Sequence, residues 1–462
     1  AAQQRQLDAW VDNVKTGPLI EQLPEPGSIA KEEDGPFDTR ILTLSNGVKV
    51  VMKQTDFKDD EIRMSAWSEG GSGRYSSDEY LTLEVMDDVL DQTCLGGFTQ
   101  VELSKALAGK VASVGASIEG RYESLGGSSS IRDQRTMFEL IYLYFQPRQK
   151  DNDAFGAYKE SLREQLRNKD MNPMVSLSDS IQATIFNHHK LTTPITLDDV
   201  DRIDYDRIVE IYADRFADAS DFTFIFIGNI DYDSIRALSC QYLATLPRVE
   251  RNDQAVDNGM HFYTQSVTNR YEKKMETPQS FAIMAWTAPI ELNVKNEVAV
   301  SILGQCVSEV YLKKIREELS AAYSAQASAR IMRGTDDQPR YLLQGVAPLK
   351  PEMTDTVLII MQQTLVDIAA NGPAAESITK AKEFMVKTFQ QNLRENNFWQ
   401  GRLRSILARN YDSAADYEEI VNNTTAADIQ AMAQRIVADN NRATIVMMPT
   451  EMEDQPEAAP AQ

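Results

Sequence analysis

Two short apolar runs, Ile41-Leu42-Thr43-Leu44 and Val48-Lys49-Val50-Val51-Met52, flank Asn46-Gly47 near the start of the chain. This pattern predicts two strands joined by a type I′ turn, because Asn-Gly tolerates the positive φ such a turn needs. Residues 62–67 predict another strand. After Gly70-Gly71-Ser72-Gly73, read as a flexible connection, the apolar period lengthens: Leu83, Met86, Val89 and Leu90 fall on one face of a helix over 78–92. More helix is expected at 101–107, strands near 111–118 and 125–131, and long helices over 135–144 and 154–167. Strands and helices come in runs without strict alternation. The fold class is therefore α+β, and a doubly wound parallel sheet is disfavoured.

A repeat organises the rest. A shift of 220 positions lays 209–216 (VEIYADRF) over 429–436 (IQAMAQRI), and the apolar run 224–227 over 444–447. Each copy is a helix, a polar turn and a β-rich strand near the end of its half. With 462 residues, too many for one ordinary core, this predicts two homologous domains, each a mostly antiparallel sheet packed with helices. The expected boundaries are 1–37 as a polar, Pro- and Gly-containing linker or extended segment, 38–250 as the first domain, 251–450 as the second, and 451–462 as a flexible tail. The chain opens Ala1-Ala2-Gln3-Gln4 without an initiator methionine, which reads as a processed product or a piece of something longer.

Composition narrows the partners. The 69 acidic and 47 basic residues leave a formal charge of −22, which repels phosphate backbones and anionic lipid, so nucleic acid is excluded as a partner. No apolar run is long enough for membrane insertion. The three cysteines, Cys94, Cys240 and Cys306, are far apart and imply no disulfide framework or zinc ribbon.

The usual motifs of self-sufficient enzymes are missing. Gly70-Gly71-Ser72-Gly73 fails the spacing of a nucleophile elbow, and Gly109-Lys110 lacks the context of a P-loop. A zinc peptidase needs two histidines one helical turn apart with a glutamate beside them. The chain has three histidines, the adjacent His188 and His189 and the distant His261, so neither His-Glu-x-x-His nor His-x-x-Glu-His can be built. One positive signal lies in 303–323, where an amphipathic helix gives way to an alternating segment. Arg316 is expected in the last helical turn and Tyr323 at the start of the strand. A guanidinium and a phenol at such a corner are good donors to peptide carbonyls. Equally, an arginine there complements the helix dipole, and a tyrosine suits a strand start.

Arg316 and Tyr323, separated by six residues, match the spacing of an Arg and a Tyr in the noncatalytic domains of the pitrilysin, insulin-degrading enzyme and mitochondrial processing peptidase family, which the chain resembles over 38–450. The opening hairpin at 44–51 and the segments 227–231 (IGNID) and 242–247 (YLATLP) are similar to the start and close of a domain of that family. The resemblance implies two halves that close like a clamshell on a peptide substrate, the zinc half carrying His-x-x-Glu-His and the other donating the Arg and Tyr. In the helix over 78–92, where that motif would be expected, there are Glu79, Glu84, Asp87, Asp88 and Asp91 but no histidine; these acids read as a solvated face. The expectation is a C-terminal, non-zinc half, part of a zinc metalloendopeptidase but inactive alone. It would hold no cofactor, zinc being expected in a zinc-bearing N-terminal half or partner subunit, while Arg316 and Tyr323 bind substrate. The alternative is a proteolytically inactive scaffold or binding protein of the same fold. Bacterial relatives of this kind imply a periplasmic location.

Overall fold

The computed structural model describes residues 18–169 and 172–450; the expected tail at 451–462 lies outside them. The first hairpin pairs β2 (Arg40–Leu44) with β3 (Lys49–Gln54), Leu42 facing Val50. Its turn differs from the sequence expectation. Gly47 N–H bonds to the Leu44 carbonyl (2.9 Å), and Leu44 N–H to the Val48 carbonyl (2.9 Å). Of the turn residues only Gly47 has positive φ (100°), which is a type I turn closed by a glycine bulge. Asn46 is recruited elsewhere: its buried side chain donates to the carbonyls of Leu243 (2.8 Å) and Leu246 (3.2 Å). Upstream, within the segment read as a linker, β1 (Ile29–Asp34) pairs with β2 as an edge strand. Its exposed Lys31, Glu32, Glu33 and Asp34 hid it from an apolar-pattern reading, and such charges protect an edge from further pairing.

With β4 (Ile62–Glu69), β5 (Ala112–Ile118), β6 (Tyr122–Ser129) and β7 (Thr223–Gly228), these strands form a seven-stranded sheet in the order β1-β2-β3-β7-β4-β6-β5. A five-stranded sheet contains β8 (Val267–Lys274), β9 (Ser280–Pro289), β10 (Gln326–Arg333), β11 (Pro339–Leu349) and β12 (Arg442–Thr450), in the order β10-β11-β9-β12-β8. The second order is that of β3 to β7 with each strand replaced by its counterpart. Even the single parallel pairing is repeated: β7 runs parallel to β3, and β12 to β8. Thr223 faces Lys49 and Phe224 faces Ala66, while Ala443 faces Val267 and Thr444 faces Met284. The repeat therefore extends to register.

The helices are α1 (Tyr80–Leu90), α2 (Gln100–Ala106), α3 (Gln134–Tyr144), α4 (Asn152–Asn168), α5 (Pro173–Ile185), α6 (Tyr205–Arg215) and α7 (Tyr232–Gln241), then α8 (Val294–Tyr311), α9 (Thr354–Asn371), α10 (Ala375–Asn392), α11 (Asn396–Arg409), α12 (Tyr417–Asn423) and α13 (Ala426–Asp439). One face of the first sheet packs on α1, α3, α6 and α7 through Val89, Phe138, Ile211 and Ile235. The matching face of the second packs on α8, α9 and α13 through Leu303, Met361 and Ile436. The opposite faces are covered by exchange. α11 lays the fully buried Leu403 among Val51, Trp67, Tyr122 and Ile225 of the first sheet. In return, α5 places Leu177 against Ile283, Ile445 and Met447 of the second. Polar contacts fix both exchanges: Asn396 accepts from Thr55 Oγ1 (2.6 Å) and donates to Glu61 (2.9 Å), and Asn269 donates to Ser180 (2.8 Å) and Thr184 (2.9 Å). No helix among the described residues is long and apolar enough to cross a membrane.

Candidate functional site

The corner after α8 is built by alternating buried anchors and exposed residues. α8 ends at the fully buried Tyr311, whose hydroxyl donates to the Met361 carbonyl (3.0 Å). The chain then widens into a π-helical turn, Leu312–Glu318, pinned by the fully buried Ile315. Such turns are uncommon and recur at functional sites. Leu319 N–H reaches the Lys314 carbonyl (3.2 Å), Ser320 takes a left-handed conformation (φ 48°), and Ala321 N–H returns to the Ile315 carbonyl (3.0 Å). The Ala321 carbonyl accepts from Lys350 N–H (3.0 Å), and Ala322 bridges to Leu349. Ala321 and Ala325 are buried on either side of Tyr323.

Tyr323 is left outside at 89% exposure. Strand β10 opens only at Gln326, so Tyr323 belongs to the tied-down corner, and Arg316 to the π turn before it. Arg316 is also exposed. Neither side chain has a hydrogen-bond or ion-pair partner among the described residues, and no hydrogen bond joins the two. Their donors are free to meet a ligand, unlike the buried Tyr341, whose hydroxyl is spent on Asp439 (2.7 Å).

The helix α1 buries Leu81, Val85, Met86 and Val89 and turns its acids outward. Glu84, Asp87, Asp88 and Asp91 are exposed, in keeping with a solvated face, and they stand close to one another and to other carboxylates. The Asp87 carboxyl is pushed up to about 6, chiefly by burial, against the Ile118 N–H that donates to it (3.4 Å). Glu84 is raised by burial and by the carboxylates of Asp179 and Asp88. No imidazole stands on α1, so its donor set does not suit zinc, and no group of three or more His, Cys, Asp or Glu among the described residues is arranged to hold a metal ion. His188 and His189 follow α5 in a loop, and His261 bonds to Asp257 (2.7 Å).

Sequence reasoning missed a buried charge network at the start of β6. Arg215 and Glu123, each 2% exposed, approach to 4.0 Å, and Arg215 also meets Asp253 (2.9 Å) and the Tyr75 hydroxyl (3.1 Å). Glu123 accepts the Gly71 N–H (2.8 Å) and is pushed up to about 7, mainly by burial. Gly70, read as part of a flexible run, lies against the Arg215 guanidinium, leaving no space for a side chain. The network ties the stretch at 251–253 to the first sheet. Partners dispersed over residues 70–253 leave no local sequence signal.

Residues 202–385 match the model of the family described as the peptidase M16 inactive domain. Among curated proteins, the chain is 20% identical over 419 residues to a zinc protease PQQL-like protein of Arabidopsis thaliana, covering 87% of this chain and 41% of that protein. It is 21% identical over 441 residues to the probable zinc protease PqqL of Haemophilus influenzae, covering 92% of this chain and 46% of that one. The chain thus spans about half the length of the curated relatives it matches. Among solved structures, the periplasmic protease PqqL from Escherichia coli superposes with a TM-score of 0.78 at 16% identity, covering 97% of this chain and 49% of that one. Residues 202–385 thus match the peptidase M16 inactive domain, and the chain as a whole is similar to one half of the PqqL zinc proteases.

Proposed function

We propose that this chain is the substrate-receiving half of a PqqL-like zinc protease, acting with a zinc-bearing half supplied by the same polypeptide or by a partner subunit. It encloses a peptide and presents Arg316 and Tyr323 to it. Its two units are the two sheets with their helices, the first taking in β1 upstream of residue 38 and the stretch at 251–253, and it works in the periplasm, as the E. coli relative does. The observation that carries the reading is the corner itself: two strong donors, exposed and without partners among the described residues, stand on a segment fixed by Ile315, Ala321 and Lys350.

Hydrolytic chemistry belongs to the zinc-bearing half, since α1 of this chain offers no suitable ligands. The residues here bind and orient. Arg316 donates to substrate carbonyls through the planar fork of its guanidinium. Tyr323 donates one hydrogen bond, strengthened as the halves close and water leaves. The order imposed by the buried alanines keeps the entropy cost of holding Tyr323 small.

Reconstitution tests the proposal. Neither this chain nor the zinc-bearing half alone should cleave a quenched fluorescent peptide efficiently, and mixing them should restore cleavage. A zinc-bearing half that is fully active alone and indifferent to this chain would refute it.

A further inference from the structure

Away from the corner, a cavity of about 410 Å³ lies between α8, β10, α10 and the residues that lead into α12. Its wall is aromatic. Phe389 stacks on Tyr417 (4.6 Å between centroids) and meets Phe398 edge-on (5.8 Å), while Phe384 stands at the opening, 61% exposed. Elsewhere the chain caps its aromatic faces with its own cations: Arg402 lies over Phe37 and Trp399, and Arg404 over Trp67 and Tyr122. Among the described residues no cation lies over the rings of this cavity.

One carboxylate faces the same space. Glu297, in the first turn of α8, is half-buried and accepts a hydrogen bond from the Tyr411 hydroxyl. Among the described residues it forms no ion pair; Arg333, near enough to act on the Tyr411 hydroxyl, is itself paired with Asp337 (3.2 Å). Arg330 reaches the cavity rim, but strand alternation directs its side chain away: Ala329 and Ile331 pack toward α8, and Met332 toward the opposite face. A half-buried carboxylate without a counter-charge is costly and favours a cation from outside. Aromatic rings beside it add cation–π attraction and bury the stem of an amphipathic cation.

We propose that this cavity is a specificity pocket for a basic side chain, lysine or arginine, of the bound peptide, with Glu297 as its counter-charge and Phe384, Phe389 and Tyr417 as its walls. The proposal rests on the peptide-binding reading above and adds the class of residue recognised. The formal charge of −22 also favours basic peptides during encounter. Burial raises the pKa of Glu297, opposed by its bond to Tyr411. The preference for a basic side chain therefore weakens as pH falls and the carboxyl is protonated.

The test uses the full chain and two short acetylated, amidated peptides, identical except for one central lysine or norleucine, measured by fluorescence anisotropy. The lysine peptide should bind about tenfold more tightly. Glu297→Gln should abolish that difference without weakening the norleucine peptide, and Phe384→Ala, at an exposed position, should weaken both. Equal binding of the two peptides by the wild-type chain, or a lysine preference that survives Glu297→Gln, overturns the pocket assignment. If the peptides bind equally but both lose affinity in Tyr323→Phe, the peptide-binding reading stands and only the pocket falls. If neither peptide binds, both fall.

Discussion

Replacing Leu403 by Ala tests the reciprocal exchange of helices on which the architecture depends. Leu403 comes from α11, among the helices of the second sheet, yet it is fully buried against the first, between Val51, Trp67, Tyr122 and Ile225. Truncation loses the transfer free energy of the removed atoms and leaves a cavity. The walls cannot close in, because Val51 and Ile225 are register partners on paired strands. The loss should therefore fall in the middle of the range for such changes, about 3–4 kcal/mol. Urea unfolding followed through Trp67 in the first sheet and Trp286 in the second would report it. Both signals should move together to lower urea, since each sheet lends a helix that covers the other. Leu177→Ala on α5 should do the same from the other side. A loss below about 1 kcal/mol, or movement of only one tryptophan signal, would refute the reciprocal arrangement.

Three further outcomes follow from the same structure. Glu123 has a folded pKa of about 7, above its unfolded value, so the folded state binds the extra proton. Its contribution to stability should decline as pH rises from about 4.5 to 7, by roughly 1–3 kcal/mol. Glu123→Gln should flatten that part of a melting-temperature profile, and an unchanged slope would contradict the assignment. Asn46→Asp keeps a good turn residue but removes the donor to Leu243 and Leu246. It should cost about 1–3 kcal/mol in chemical denaturation, whereas a purely local turn role predicts almost none. Finally, the purified chain should carry no stoichiometric zinc by atomic absorption, and one tightly bound zinc per chain would overturn the reading of α1.

Much of the fold was legible because its signals are local. The hairpin at 40–54 and the helix-then-strand units ending in β7 and β12 announce themselves by period, and the offset between those units survives in their register. What was not legible is relational. Nothing in the amphipathic pattern of α5 or α11 states which sheet its apolar stripe will cover. The charges of β1 conceal a strand because an edge has little need of an apolar face. The turn type was misread because a buried tertiary contact, not local propensity, decides the conformation of Asn46. The aromatic cavity draws on residues between Glu297 and Tyr417, a spacing without periodicity. Arg316 and Tyr323 stand out in the sequence at a helix-to-strand corner, and family resemblance favours a substrate-binding role for them over a structural one. Their exposure and lack of partners became visible only in the structure.

The most direct measurement is the turnover of the reassembled two-half enzyme with Tyr323→Phe in this chain. Tyr323 is 89% exposed and has no partner among the described residues, so the substitution should alter folding stability by no more than about 0.5 kcal/mol. If the hydroxyl donates to substrate in the transition state, kcat/KM on a peptide should fall about 100-fold, close to 3 kcal/mol. A large loss of turnover with an unchanged melting temperature is the predicted result. Unchanged turnover, or a loss matched by a loss of folding, would contradict the account.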